Sequence, residues 1–427
     1  MSDRVIECPA FVDTHSHDDL ALLTDPGRSD KRNQGIGAQV IGNCGISPFP
    51  AMPDSCQPVK RLFDAVMGPQ DAPFPSVKDY RRKIARDDIV ILQGYNALRA
   101  SMFGPEPRRL DAAERKKISA AASQAIDEGA AGISFGLAYL PAVGADMDEL
   151  VEVARQTPLV TVHLRNESSG ILESIDEALD VARRARCCLH ISHVKISGRA
   201  YWNKAELLFK KLRAAHEEIG VTFDHYPYSY GCTALAAVLP PEIGALSAGE
   251  IAQVRTRDFE RRYEDSNWEN YTLMCGWEGL KLAALEKYAE YNMQSIGAAA
   301  GHHGLSPPEL VLRLVREESH PAMLVHSQDE NIINELLKLP FGCVGTDGLP
   351  TVRDHPRLTD TFPEYLRRCR AAKLSAEDAV EKAAVMPRRI FQIPPTAGGT
   401  IRFSWSTGEI VSPPSGPETS ESRKRSR

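Results

Sequence analysis

No apolar run in this 427-residue chain approaches the length that spans a bilayer, so no membrane segment is expected. Neither sign of charge prevails. The 51 Lys and Arg face 57 Asp and Glu, and the net charge of −6 offers no basic footprint for nucleic acid. The N-terminal stretch MSDRVIECPAF lacks the basic start and long apolar core of a signal peptide. No solenoid-type repeat occurs. The nine cysteines are odd in number, keep no regular spacing and include no CxxC pair. That argues against a disulfide framework and a structural zinc ribbon, and it predicts a cytoplasmic protein whose metal would be held mainly by His and Asp. What is present is ordinary globular stock: 42% hydrophobic and 25% charged residues, ample for a large core.

Short apolar runs alternate with amphipathic stretches. The runs are Phe11–Thr14, Ala38–Gly42, Ile89–Gly94, Ala131–Phe135, Leu159–His163, Cys188–His193, Val221–Asp224 and Cys343–Asp347. Each fits a parallel strand buried on both faces. Helix signals lie between them. Asp111 with Glu114 predicts a capping box, with a stop at Gly129; Asn203 with Glu206 predicts a helix closing at Gly220; Ser306-Pro307-Pro308-Glu309 predicts another start. Eight β-then-α units predict an α/β fold, a (β/α)8 barrel of TIM type over residues 11–393, after a short lead-in at 1–10. The interval 233–341, which contains a strand-like run at Met323–His326, is expected to be an insertion over the barrel mouth that shapes the substrate pocket. Residues 394–427 hold one strand-like run, Thr400–Trp405, before a Pro-, Ser- and Glu-rich tail expected to be disordered.

In such a barrel the active site forms at the C-terminal ends of the strands, and ligand-type residues fall there. The first strand ends in His15-Ser16-His17, where residues i and i+2 point the same way and both imidazoles can face one metal. The second runs into Cys44, the fifth and sixth end at His163 and His193, and the eighth ends at Asp347. Each alone has a bland reading: an isolated HxH is weak, Cys44 is a small buried hydrophobe, Asp347-Gly348 is a turn. Their conjunction favours a metal site. Imidazoles with one thiolate and one carboxylate suit Zn2+ best, with iron, cobalt and manganese still open. Such a metal polarises an amide carbonyl and acidifies a bound water. Asp347 would act as general base and acid, or only as a ligand. His302, His303 and His326, in the insertion, default to structural or surface roles.

With these residues in view, the chain resembles the N-acyl-D-amino-acid deacylase (D-aminoacylase) family of the amidohydrolase superfamily. The matching runs are FVDTHSHDD at 11–19, GNCGIS at 42–47, GISFGLAY at 132–139, HLRNE at 163–167, HISHVK at 190–195, YPY at 226–228, TDG at 346–348 and HPR at 355–357, in the family's order. The resemblance implies that Cys44 takes the place of the carboxylated lysine with which many relatives bridge two metals; strand four, Gly132–Phe135, holds no lysine. It implies a tightly bound zinc at Cys44, His163 and His193, and a second, weaker position at His15, His17 and Asp347. It also implies that Lys195, Tyr226 and Arg357 grip the substrate's α-carboxylate, which makes physical sense: a guanidinium fork, an ammonium and a phenol can orient one carboxylate against a metal. The implied reaction is hydrolysis of an N-acyl-D-amino acid, a small-molecule substrate, to a carboxylate and a free D-amino acid.

Three departures from the family stand out. Gly231-Cys232-Thr233 replaces a turn that usually holds a serine, and Gly94-Tyr95-Asn96 replaces a Gly-His pair. The accessory β-domain is expected to be largely missing, since only about ten residues precede the first barrel strand. Two alternatives follow: a cyclic amide hydrolase of hydantoinase or dihydroorotase type, and a truncated barrel with little or no activity. Lys195, Tyr226 and Arg357 favour the open acyl amino acid, which presents a free α-carboxylate. The sequence leaves open the number of metals, the formation of a homo-oligomer, and the identity of the D-amino acid and acyl group.

Overall fold

The structure, a computed structural model, describes residues 4–69, 74–240, 243, 246, 248–265, 270–353 and 355–414. The expected tail lies mostly outside these residues. After a first strand, β1 (Val5–Pro9), the barrel is built from β2 (Phe11–Asp13), β3 (Ile36–Ile41), β4 (Ile89–Gly94), β5 (Gly132–Gly136), β6 (Leu159–His163), β7 (Cys188–Ile191) and β8 (Thr222–His225). Its last strand, β12 (Gly342–Val344), follows a long excursion. These eight strands form one sheet in the order β2 to β8 and then β12, and all its pairings are parallel. Every residue of β4, β5 and β6 is buried, as strands covered by helices outside and by one another inside must be. The seam between β2 and β12 closes through the Thr14 N–H on the Val344 carbonyl (3.3 Å) and the Asp347 N–H on the His15 carbonyl (2.8 Å). Closure therefore makes His15 and Asp347 neighbours through the backbone itself.

The helix starts follow the sequence at two of three places. Asp111 and Glu114 form the capping box of helix Ala112–Asp127, and Ser306 and Glu309 form that of helix Pro307–Glu317. Asn203 caps nothing. It lies inside a 3-10 turn, Arg199–Lys204, whose carbonyls lead directly into helix Ala205–Ile219, so that helix starts without a side-chain cap and stops at Gly220 as expected.

The excursion after β8 has its own sheet: β9 (Tyr230–Ala234), β10 (Leu280–Ala283) and β11 (Ala322–His326), antiparallel, with β11 in the centre. Leu235, Leu280, Leu282, Ile296, Leu310 and Met323 pack into a core separate from that of the barrel. Helix Glu330–Lys338 then returns the chain to β12.

The lead-in and the segment after residue 394, expected to hold one isolated strand, pair with each other instead. β1 runs antiparallel to β13 (Thr400–Ser404), which carries β14 (Ile410–Ser412) on its other edge. Cys8, Phe11, Phe362, Ile401 and Phe403 pack together beneath it, with the rings of Phe11 and Phe362 stacked at 5.2 Å. The accessory sheet is thus small but anchored in the barrel core. No helix among the described residues is long and apolar enough to cross a membrane.

Candidate metal centre and substrate pocket

Parallel strands deliver their C-terminal ends to one mouth, and all six residues expected as ligands meet there. Cys44 Sγ lies 3.2 Å from His15 Nε2 and 3.3 Å from His193 Nε2. His163 Nδ1 lies 2.8 Å from His193 Nε2. Asp347 Oδ1 stands 3.3 Å from His17 Nε2 and 3.7 Å from His15 Nε2. Two buried trios result, His15–His17–Cys44 and Cys44–His163–His193, each with its ligand atoms within 4.8 Å of one another, and Cys44 belongs to both.

The backbone is bent to this purpose. Cys44 (φ 56°), His193 (φ 34°) and Asp347 (φ 48°) are all left-handed, at a cost of order 1–2 kcal/mol for a residue with a Cβ. The surroundings hold them there. Next to Cys44, a Cβ on Gly45 would come within 1.9 Å of Asn96 Oδ1. Asn96 in turn accepts the Gly136 N–H at 3.1 Å and donates to the Gly136 carbonyl at 3.0 Å, while Ser134 Oγ accepts the Gly45 N–H at 3.0 Å. Asn96 therefore locks the cysteine turn. Across the seam, buried Lys31 donates to Asp13 Oδ2 and Thr346 Oγ1, both at 2.7 Å, tying the strand end of His15 to that of Asp347.

The donor set suits a zinc ion. Burial alone would raise the Cys44 thiol, but the imidazoles of His15 and His193 hold it well below its usual range, which favours the thiolate that binds metal. The outward nitrogens of two of the imidazoles lie beside carboxylates, as those of metal-bound imidazoles usually do, and that of His193 also has Lys195 Nζ at 2.9 Å. Asp224 Oδ2 lies 3.4 Å from His15 Nδ1 and 2.9 Å from His190 Nε2, and its Oδ1 accepts the His193 N–H at 2.8 Å. Glu167 Oε1 lies 3.0 Å from His193 Nδ1, and its Oε2 pairs with Lys195 at 2.5 Å. Burial pushes Glu167 up, yet Lys195, His193 and His163 bring it down to about 2. Asp224, Glu167 and Lys31 were missed in the sequence. The signal for Asp224 was its place near the end of a strand, and that for Glu167 its place four residues beyond His163, closing the matching run HLRNE.

Asp347 is ionised. Burial opposes this, but the Arg357 guanidinium, donating to Oδ2 at 2.9 Å, and His17 hold the carboxyl well below the usual range. Lys195 and Tyr226 line the same pocket as the ligands. Burial pushes the Tyr226 hydroxyl up to about 12, keeping it a donor at neutral pH. Arg357 does not reach the pocket surface. It is 1% exposed, sits 5.2 Å from the Tyr226 ring centre and donates its remaining terminal nitrogen to the Cys232 carbonyl at 3.2 Å. Gly231, Cys232 and Thr233 form part of the wall. His302, His303 and His326 stay outside the pocket: His303 bonds the Tyr291 hydroxyl and His326 stacks on Tyr230.

No family model matches the chain. An N-acyl-D-glutamate deacylase of Alcaligenes xylosoxydans xylosoxydans is 30% identical to it over 396 residues, which is 90% of this chain and 73% of that protein. The chain belongs to the N-acyl-D-amino-acid deacylase family. An N-acyl-D-aspartate deacylase of the same organism is 29% identical over 388 residues, covering 88% of this chain and 69% of that one. In three dimensions the chain is similar to the N-acyl-D-glutamate deacylase of Bordetella bronchiseptica, crystallised with zinc and a phosphonate mimic of the tetrahedral intermediate. The TM-score is 0.77 at 24% identity, over 96% of this chain and 84% of that chain. The shared fold extends to nearly the whole chain.

Proposed function

We propose that this deacylase-family member hydrolyses the amide bond of N-acyl-D-amino acids, releasing a carboxylate and a free D-amino acid. The observation that carries the reading is the sharing of Cys44 between two buried ligand trios, with Asp347 beside them and Lys195 and Tyr226 in the same pocket. Cys44, His163 and His193 would hold one zinc tightly, and His15, His17 and Asp347 would offer a weaker second position; zinc bound there supplies a polarised carbonyl and a water acidified to near neutrality. Asp347 is the general base. Arg357 fixes Oδ2, and Oδ1 faces His17 and His15, from where it would take a water's proton and return it to the leaving nitrogen. Lys195 and Tyr226 anchor the α-carboxylate, and Arg357 reinforces them from behind the tyrosine ring. A hydantoin-type ring has no such carboxylate, so the open acyl amino acid fits better.

Residues 11–393 form the catalytic unit in this reading, with 233–341 as its roof. Nine free thiols suit a cytoplasmic setting. The test is turnover of zinc-loaded protein on paired N-acetyl-D- and N-acetyl-L-amino acids, followed by amine release. Hydrolysis of the D series alone is expected. Equal rates on both enantiomers, or none on either, would overturn the assignment.

A further inference from the structure

The relatives named for N-acyl-D-glutamate and N-acyl-D-aspartate remove acyl groups from amino acids that carry a second carboxylate. Among the described residues, the lining of this pocket offers no cation beyond Lys195 to receive one. Besides the imidazoles of the ligand set, its lining contains a single cation, Lys195. That ammonium is already 2.5 Å from Glu167 and 2.9 Å from His193 Nδ1, and it faces the place assigned to the α-carboxylate. Arg357 is fully buried behind Tyr226 and bonded to Asp347. The walls left for the side chain and the acyl group are Ile46, Val66, Tyr139, Tyr271, Val325 and Leu349, with a few hydroxyl groups between them. The internal residues outside the described set (70–73, 241, 242, 244, 245, 247, 266–269 and 354) include no Lys, Arg or His.

We propose that the site takes N-acyl-D-amino acids in which both the side chain and the acyl group are uncharged, and discriminates against acidic ones. The inference rests on the deacylase reading and adds the substrate class. It does not depend on which wall meets which group, because neither wall carries a cation. A carboxylate held between these walls exchanges its hydration for at most a few neutral hydroxyl donors, with no cation to pair with. The rate loss for an unpaired buried charge is at least about a hundredfold.

The test has two arms. In the first, kcat/KM of the zinc-loaded protein is measured for N-acetyl-D-leucine, N-acetyl-D-methionine, N-acetyl-D-glutamate, N-acetyl-D-aspartate and N-succinyl-D-leucine. The two N-acetyl apolar substrates should exceed the other three by about a hundredfold or more. Comparable or faster turnover of the acidic amino acids would overturn the proposal and leave the deacylase reading standing, and equal turnover of the succinyl substrate would overturn its acyl half. The second arm is calorimetric binding of free D-leucine and D-glutamate to the same protein. Selective binding of D-leucine supports the proposal even if no substrate is hydrolysed, in which case the deacylase reading alone falls. Equal or tighter binding of D-glutamate overturns it.

Discussion

The floor and the roof of the pocket are made of different material. The floor consists of strand ends whose polar groups are tied together: His15 to Asp224, His193 to Glu167, Asp347 to Arg357, Asp13 to Lys31. Moving one group disturbs its neighbours. The roof is the excursion from Tyr230 to His326, which rests on an apolar core of its own and contributes Thr233, Tyr271 and Val325 to the pocket. The division separates chemistry from choice of substrate. Ligands and base are fixed by barrel hydrogen bonding, whereas the wall that meets the substrate can vary without touching the metal.

The most damaging break is Cys44→Ala. Because Sγ belongs to both trios, its loss removes a ligand from each metal position. Zinc content should fall below about a tenth of the wild-type value, since the remaining imidazoles lack the thiolate that completes the site. Turnover should disappear with it. Metal analysis and amide hydrolysis on the same preparation check both.

Asp347→Ala strikes the floor differently. The Cys44–His163–His193 trio is left whole, so zinc content should stay near wild type while turnover falls by about 10²–10⁴, the range general-base catalysis supplies. Turnover close to wild type would remove Asp347 from the mechanism. Next in size is Glu167→Gln, which weakens the partner of His193 Nδ1 without removing a ligand. It should cost about 10–100-fold in zinc affinity, read by chelator competition.

The barrel and its six ligand-type residues were legible because both depend on local pattern. Strands buried on both faces read as apolar runs, and the residue closing each run is placed at the mouth by topology alone. Ile89–Gly94 and Leu159–His163 were read to the residue. The partners of those ligands were not legible. Asp224 is 209 residues from His15 and Asp13 is 333 from Thr346, so their roles exist only after the barrel closes. Val5–Pro9 failed to read as a strand for the same reason: its pairing partner begins at Thr400. Asn203 misled in the opposite way. A sound local capping signal was overridden by the 3-10 turn that already feeds the helix.

The gentlest test asks whether roof and floor are truly separate. Ser306 caps the roof helix Pro307–Glu317, whose Leu310, Val311, Leu312 and Leu314 face the roof core. Its hydroxyl lies 2.8 Å from Glu309 Oε2 in the reciprocal capping box. Ser306→Ala should lower stability by about 1 kcal/mol, the usual cost of an N-cap, measured by chemical denaturation. Zinc affinity should not change, because no residue of that helix is among those lining the pocket. A parallel fall in zinc affinity would mean that the excursion supports the strand ends as well as covering them, and the separation of chemistry from substrate choice would then have to be abandoned.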